Sequence, residues 1–223
     1  MKRFTNGFSA LVSYTFGKTI DLVSNNDGPI FTNIFDPNYD RGVADYDVKH
    51  TLVTSVLYEL PFARKHVMGG WQVNGIGYWR SGLALTVSQS GTMASTGITN
   101  NRPDLVPGKT GMNSNPTIDQ WFDPTAFART EATGTFGNLG RNTLRGPEIF
   151  NVDLSLVKNT RIGRVDTELR VETFNLFNHP QFGPPARTFG NADFGVITTA
   201  ASPSCQTCGT SERQIQAALK LRF

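Results

Sequence analysis

Two cysteines, Cys205 and Cys208, have the C-x-x-C spacing of metal and redox sites. A structural zinc site needs two further ligands at suitable spacing, and the sequence contains no second C-x-x-C. A thioredoxin-like redox site needs a strand, a helix and a strand around the motif, and this sequence offers no such pattern. In an oxidising extracellular compartment a disulfide is the favoured use of such a pair. We therefore predict a disulfide within a loop, no metal site and no cofactor.

The acidic segment 36–42, DPNYDRG, resembles the start of a calcium-binding loop because it follows the pattern D-x-N-x-D. Its glycine, Gly42, comes one position too late, and the twelfth position holds Asp47 instead of glutamate. Asx turns, in which an Asp or Asn side chain accepts a hydrogen bond from the backbone two residues on, explain the same composition. We favour a loop held by Asx turns over a calcium site.

The sequence carries none of the common signatures of catalysis. Its three histidines form no H-E-x-x-H pair, and neither a G-x-S-x-G nucleophile elbow nor a phosphate-binding P-loop occurs. Glu168, Arg170 and Glu172 alternate along one segment, which is the pattern of a charged wall rather than of an acid–base pair. We predict that the protein is not an enzyme.

The composition indicates an all-β protein. Hydrophobic residues make up 38% and charged residues 17% of the chain, and its 22 glycines are poor helix formers. An aromatic content of 11% and a net charge of +3 argue against disorder. A mean hydropathy of −0.27, without any apolar run of about 18 residues, excludes a helical membrane protein. The basic residues are scattered, so we expect no nucleic-acid partner.

Six segments alternate apolar and polar residues with a period of two, which indicates strands. They are residues 8–16, 50–60, 71–81, 149–158, 165–175 and 213–223. Their lengths of nine to eleven residues exceed the usual strand of about five or six and match tilted membrane-spanning strands. Strand length alone fits a long-stranded soluble sandwich or barrel equally well.

The connections between these strands favour a membrane. They alternate long and short along the chain, as 17–49, 61–70, 82–148, 159–164 and the stretch of more than thirty residues after 175. An antiparallel meander places all the long connections at one end, as in outer-membrane barrels with long extracellular loops and short periplasmic turns. Soluble domains rarely carry several structureless loops beyond about fifteen residues. The sequence therefore predicts an antiparallel meander of about six transmembrane strands.

Aromatic side chains on one face of these strands are expected at both membrane interfaces, where amphipathic rings are enriched. The expected interface aromatics are Tyr14, Phe16 and Trp79 next to the long connections, and Tyr58, Trp71 and Phe223 at the opposite end.

Charged side chains are expected on the other, lumen-facing side. They are Asp153, Glu168, Arg170, Glu172, Lys220 and Arg222. Because Leu154 and Leu169 must share a face, the register of the fourth strand against the fifth is restricted to alternate values. A two-residue turn at Arg161-Ile162 would place Asp153 opposite Arg170, and we predict an ion pair between them.

Short motifs are spread over the whole chain. They are KRFTNGF (2–8), VSYTFGK (12–18), DYDVKH (45–50), YELPF (58–62), GWQ (70–72), SGL (81–83), NRPD (101–104), WFDP (121–124), FNLFNHPQF (174–182) and LKLRF (219–223). In this order and spacing they resemble the TonB-dependent outer-membrane receptors of the Oar-like type. The ending, with Leu219, Leu221 and Phe223 alternating, resembles the C-terminal signal read by the machinery that assembles outer-membrane barrels.

This resemblance implies a location in the bacterial outer membrane and transport of a bulky substrate across it. Members of the family carry an N-terminal plug domain and about 22 strands. Residues 1–223 are therefore expected to be the C-terminal segment of such a barrel, with the plug and the earlier strands absent and Met1 an internal or truncated start. The implied partners are outer-membrane lipid, the barrel assembly machinery and, only through the missing plug, TonB.

Two other functions stay open. Six strands are fewer than the minimum of about eight for an outer-membrane barrel, so we expect a partial, open barrel with two unpaired edges. The alternatives are a small independent porin-like or anchoring barrel, and a soluble secreted β-sandwich that binds glycans or a protein partner. An apolar outer band would distinguish both barrels from the sandwich.

Overall fold

The computed structural model describes residues 2–5, 7–24, 32–33, 35–61, 69–91, 101–130, 135–201 and 211–223. In these ranges the regular structure is β apart from two short 3₁₀ helices, Pro37–Asp40 and Pro124–Ala126. The strands are β1 Lys2–Thr5, β2 Phe8–Phe16, β3 Ile20–Asp21, β4 Gly42–Val43, β5 His50–Glu59, β6 Trp71–Arg80, β7 Ala84–Leu85, β8 Ser88–Gln89, β9 Asp104–Leu105, β10 Phe127–Ala128, β11 Leu144–Arg145, β12 Ile149–Ile162, β13 Val165–Phe174, β14 Thr188–Phe189 and β15 Gln214–Arg222. No helix among the described residues has the length and apolar character needed to cross a membrane.

One antiparallel sheet of seven strands, in the order β1-β2-β5-β6-β12-β13-β15, contains all six predicted strands. This confirms the all-β antiparallel meander. The seventh strand, β1, was not predicted, and it pairs with β2. The strand 8–16 is therefore not an edge of the sheet. The two edges are β1 and β15, which do not pair with each other among the described residues.

The registers divide the sheet into an apolar face and a polar face, because successive side chains of a strand point to opposite sides. The apolar face carries Phe8, Val12, Tyr14, Phe16, His50, Leu52, Val56, Tyr58, Trp71, Val73, Trp79, Phe150, Leu154, Leu156, Lys158, Leu169, Val171, Ile215, Leu219 and Leu221. The polar face carries Ser9, Ser13, Thr51, Ser55, Glu59, Gln72, Asn74, Tyr78, Arg80, Asn151, Asp153, Ser155, Asn159, Glu168, Arg170, Glu172, Gln216, Lys220 and Arg222. Some apolar residues lie among them, including Leu11, Val53, Leu57, Ile76, Ile149 and Val157.

The apolar face is open to its surroundings. Val12 is 63% exposed, Phe16 62% and Ile215 67%, and no second sheet of the described residues packs against them. A continuous apolar surface of this extent is unfavourable in water and marks contact with another apolar phase. The two inner faces of a β-sandwich would instead bury these side chains against each other. The described sheet thus has the two-faced character of a barrel wall.

The turn between β12 and β13 differs from the prediction. Ile162 pairs with Val165, so the two-residue turn is Gly163-Arg164 instead of Arg161-Ile162. Gly163 takes a φ of +63°, which a tight hairpin requires and glycine adopts at little cost. β12 consequently continues four residues beyond the predicted end of the fourth strand.

The predicted ion pair between Asp153 and Arg170 is therefore wrong. Arg170 lies opposite Val157, and Asp153 accepts hydrogen bonds from Asn151 Nδ2 (2.8 Å) and the Asn175 backbone N–H (2.9 Å). The observed register of β12 against β13 differs from the predicted one by four residues. Because four is an even number, Leu154 and Leu169 still share the apolar face, as predicted.

The long connections meet at one end of the sheet, here called the loop end; the opposite end is the turn end. The first (17–49), second (81–148) and third (175–213) connections are not structureless. They contain four two-stranded ladders, β3–β4, β7–β11, β9–β10 and β8–β14, the last joining the second connection to the third. We call the described residues of these connections the loop layer.

The apolar core of the described residues lies in the loop layer and not between layers of the sheet. Its buried members are Leu85, Val87, Phe122, Ala126, Phe127, Leu139 and Leu144. Phe189 and Phe194 of the third connection pack against Phe127, with ring centroids 5.7 and 5.4 Å away. The second and third connections therefore share one packed core.

Candidate functional site: the loop layer

A buried ion pair joins the first connection to the second. Arg102 Nη1 lies 2.7 Å from Asp40 Oδ1, and the two side chains are only 3% and 4% exposed. The other guanidinium nitrogens of Arg102 donate to the Leu139 carbonyl (Nε, 2.8 Å) and the Tyr39 carbonyl (Nη2, 2.7 Å). A buried pair of charges stabilises a fold only when its remaining hydrogen-bonding capacity is used, and here it is used.

Local structure explains how Asp40 reaches this position. Asp36 Oδ1 accepts a hydrogen bond from the Asn38 backbone N–H (3.0 Å) and caps the 3₁₀ helix Pro37–Asp40. This is the Asx turn predicted for the segment. The carboxylate of Asp40, the last residue of the D-x-N-x-D pattern, pairs with Arg102.

Tyr39 packs against the guanidinium of Arg102 and so supports the Arg102–Asp40 ion pair. Its ring centroid lies 3.8 Å from Arg102 Cζ, a cation–π distance, and its hydroxyl donates to the Gly137 carbonyl at 2.6 Å. Burial raises the pKa of the Tyr39 phenol above its ordinary value, which the charge of Arg102 offsets only in part. The phenol is therefore a neutral hydrogen-bond donor at physiological pH.

Arg141 forms a second contact between the same two connections. Its Nη1 lies 2.5 Å from Asp21 Oδ1 and its Nη2 lies 3.2 Å from Asp45 Oδ1, while Ser24 Oγ accepts from Nη2 at 2.6 Å. Burial acts to raise the pKa of Asp21, but the hydrogen bonds from Ser24 and Arg141 and the charge of Arg141 outweigh it. The pKa of Asp21 lies below its ordinary value.

Arg145 forms the third contact. Its Nη2 lies 2.8 Å from Asp47 Oδ2, and Asp47 Oδ1 accepts from the Thr19 backbone N–H at 2.7 Å. Three arginines of the second connection thus hold four aspartates of the first. We call this set the arginine–aspartate network, and its members are Arg102, Arg141, Arg145, Asp21, Asp40, Asp45 and Asp47.

The third connection is fixed to β12 at the loop end of the sheet by the Gln181 side-chain amide and the Leu176 backbone N–H. Gln181 is buried, and its amide exchanges hydrogen bonds with the Phe150 backbone N–H and carbonyl. Asn175 Nδ2 donates to the His179 carbonyl (2.9 Å), and the Leu176 N–H donates to the Val152 carbonyl (2.7 Å). The described residues of all three connections are therefore held in defined positions.

A cavity of about 600 Å³ lies between the three connections. Ser24 and Asp45 of the first, Arg141 of the second and Arg187 of the third line it. Arg187 is exposed, and its guanidinium forms no hydrogen bond or ion pair with the described residues, whereas Arg141 is held by its aspartates. Charges of both signs and hydroxyl groups around one cavity suit the binding of a polar solute.

The expected interface aromatics lie at the two ends of the apolar face. At the loop end, Tyr14, Phe16 and Trp79 surround His50, with ring centroids 6.2, 5.3 and 6.2 Å from the imidazole. Tyr14 Oη and His50 Nδ1 are 2.8 Å apart. His50 was missed as a member of this cluster, although its even position in strand 50–60 places it in phase with the apolar residues of that strand.

At the turn end, Tyr58 packs edge-on against Phe8, with ring centroids 6.1 Å apart, and Lys158 Nζ lies 5.2 Å from the Trp71 ring centroid. Trp71 and Trp79 are separated by about 26 Å along β6 at 3.3 Å per residue. Phe223 follows β15 at the same end and is 98% exposed. Leu219 and Leu221 point to the apolar face.

The six charges expected to face the lumen all lie on the polar face. Arg170 contacts Glu168 (2.9 Å) and Glu172 (3.5 Å) on its own strand, and Gln216 Nε2 donates to Glu172 at 2.6 Å. Lys220 lies opposite Glu168, and Arg222 opposite Asp166. Cys205 and Cys208 lie outside the described residues, so the predicted disulfide stays a prediction.

Sequence reasoning gave no role to the arginine–aspartate network, although two of the quoted motifs, DYDVKH and NRPD, contain Asp45, Asp47 and Arg102. Isolated arginines and aspartates in loops otherwise rich in glycine and hydroxyl residues were the sequence signal that could have indicated the network.

Comparison with known proteins adds one finding. A family model described as an outer membrane beta barrel domain matches residues 1–216. No curated protein and no solved structure matches the chain significantly.

Proposed function

Because this chain belongs to the family of outer membrane beta barrel domains and lies in the bacterial outer membrane, we propose that it forms the C-terminal part of a TonB-dependent transporter barrel. The complete barrel moves a bulky substrate across the outer membrane. The observation that carries this proposal is the folded loop layer, in which three long connections enclose a cavity of about 600 Å³ at the loop end.

The loop layer favours selective uptake over passive leakage. A passive pore needs an open lumen and gains nothing from one buried and several partly buried ion pairs among its loops. A binding site, in contrast, must hold its side chains in fixed positions before the ligand arrives. The buried pair of Arg102 and Asp40 and the shared core around Phe127 supply that rigidity at the cavity.

The sheet supports the assignment to a larger barrel. β1 and β15 each have one side without a partner strand among the described residues, and closure would require further strands between them. The polar face, with Glu168, Arg170 and Glu172, then faces the lumen and the apolar face contacts lipid. Contact with TonB belongs, in this proposal, to a plug domain supplied by the same receptor, and the terminal strand is read by the barrel assembly machinery.

An epitope inserted between Pro107 and Gly108 tests the proposal in the native bacterium, because Cβ at Gly108 would meet nothing within 4 Å. The tagged gene is expressed from its own locus, and outer membranes are treated with a crosslinker and probed for the epitope. We expect a polypeptide several times larger than 24.5 kDa that crosslinks to TonB in energised cells.

The matched control is the same strain with TonB deleted, in which the crosslinked band must disappear. A heat-modifiable band at about the mass of this chain alone, without any TonB crosslink, would refute the proposal in favour of a small independent porin-like or anchoring barrel.

A further inference from the structure

Arg80 is a largely buried arginine that has no counter-charge among the described residues. It ends β6 on the polar face at the loop end, opposite Thr51 of β5 and Ile149 of β12. The residue is 9% exposed, so it is nearly enclosed where the sheet meets the loop layer. Its Nε is buried without a hydrogen-bond partner, and the guanidinium forms no ion pair with the described residues.

Arg102, in the same protein, is a buried arginine whose guanidinium has hydrogen-bond acceptors. It is 2% exposed, and its nitrogens contact the Asp40 carboxylate and the carbonyls of Leu139 and Tyr39. Arg80, almost as deeply buried, has no equivalent of any of these acceptors.

An arginine cannot resolve this situation by losing its proton. A buried lysine or carboxyl group without a partner becomes neutral through a shift of its pKa, but a guanidinium stays charged at every pH that a folded protein tolerates. An isolated buried charge is among the most unfavourable features that a fold can contain. Among the described residues no carboxylate neutralises Arg80, and only its Nε is both buried and unpartnered, so the terminal nitrogens remain accessible to an anion that binds there.

We propose that Arg80 is a binding site for an oxyanion, the carboxylate or phosphate group of a solute that reaches the polar face beneath the loop layer. The planar guanidinium binds such a group through two parallel hydrogen bonds, and its free Nε belongs to one edge of that fork. Thr51 directly opposite and Tyr78 two residues back are the neighbouring hydroxyl-bearing residues on the same face. The site concerns binding and does not rest on the transport function proposed above.

Thermal unfolding of the intact, detergent-solubilised protein tests the site, with sodium phosphate, sodium succinate and sodium chloride compared at equal ionic strength. At an anion concentration one hundred times the dissociation constant, we expect phosphate or succinate to raise Tm by about 5–10 °C over chloride, in a saturable manner. The larger of the two shifts identifies the oxyanion class that the site prefers.

Two variants of Arg80 and one control locate the effect. Arg80→Met keeps the apolar stem, and we expect it to be more stable than the wild type in chloride and to lose the anion-specific shift. Arg80→Lys keeps the charge without the fork, and we expect it to retain a smaller shift. Arg164→Met removes an exposed arginine of the β12–β13 turn at the opposite end of the sheet, and we expect the full wild-type shift.

The proposal is overturned if phosphate and succinate stabilise the wild type no more than chloride does. It is also overturned if Arg80→Met shows the same anion-specific shift as the wild type, or if it is less stable than the wild type in chloride, because Arg80 would then have a partner within the protein. Should Arg80→Met fail to fold, the saturable shift in the wild type and its reduction in Arg80→Lys decide the question.

Discussion

Replacing Asp40 with alanine is expected to release the first connection from the loop layer while leaving the sheet intact. The variant leaves Arg102 charged and buried, with its two carbonyl partners but no carboxylate. Removing one partner of a buried ion pair costs about 3–5 kcal/mol. At about 1.4 kcal/mol for each factor of ten, this predicts a rise of about one hundred- to several thousand-fold in local opening.

Hydrogen exchange measured by mass spectrometry on the protein in detergent reads this opening directly. The amides of Arg41, which donates to the Asn38 carbonyl, and of Leu139, which donates to the Pro103 carbonyl, report on the two sides of the contact. We expect both to exchange faster in Asp40→Ala. The amides of β5, β6 and β12 keep their protection, because their ladders do not depend on the loop layer.

A second variant and a control separate the ion pair from the packing. The double variant Asp40→Leu, Arg102→Met replaces both charges with apolar groups, and exchange is expected to return to within about tenfold of the wild type. Lys109→Met removes an ion pair that is 46% and 27% exposed, and exchange at Arg41 should not change. Unchanged protection in Asp40→Ala, or a double variant as labile as the single one, would refute this reasoning.

Three further outcomes follow from the structure. The pKa of Asp21 is lowered on folding, so its contribution to stability is complete above its ordinary pKa of 3.8 and is lost as the pH falls through the lower folded value. Asp21→Asn should abolish this part of the acid response, as measured by exchange of the loop amides between about pH 2 and pH 5. Gly82→Ala would place a Cβ 1.8 Å from the Gly146 carbonyl oxygen, and we expect the heat-modifiable band on gels to be lost, whereas Gly75→Ala, with its nearest neighbour at 3.8 Å, should keep it. Val56→Lys on the apolar face should destabilise the protein by about 2–4 kcal/mol, as measured by urea titration in lipid vesicles. Ser55→Lys, on the polar face, should be tolerated. Equal effects at the two positions would contradict the assignment of the faces.

The long strands could be predicted from the sequence because each carries its own signal. Alternation over 8–16 and 71–81 predicted β2 with both of its ends and β6 to within one residue. The period of two also sorted every expected lumen-facing charge onto one face, since a residue's face depends only on its position in its strand. These properties are local, so one sequence is sufficient to read them.

The contacts between strands and connections could not be predicted in the same way. The hairpin turn depended on which two residues adopt the turn conformation, and Gly163 was the overlooked signal. The pair of Arg102 and Asp40 joins residues 62 positions apart, and no periodicity relates them. Many aspartates and arginines of the loops would be chemically equivalent partners, so packing of the whole loop layer selects among them.

The sequence separations within the arginine–aspartate network bear on the order in which the contacts of this protein form during folding. Arg141 and Asp21 are 120 residues apart, and Arg145 and Asp47 are 98 apart. Contacts between residues so far apart in sequence form late, because the entropy of ordering a long stretch of chain is lost before the contact contributes any stabilising free energy. The ladders of the sheet join strands that are neighbours in the meander, whereas the network joins two different connections, so the sheet can form before the network does. Until the first and second connections meet, the four aspartates lack the arginines that neutralise them, so closing the network is the last step in ordering the loop layer.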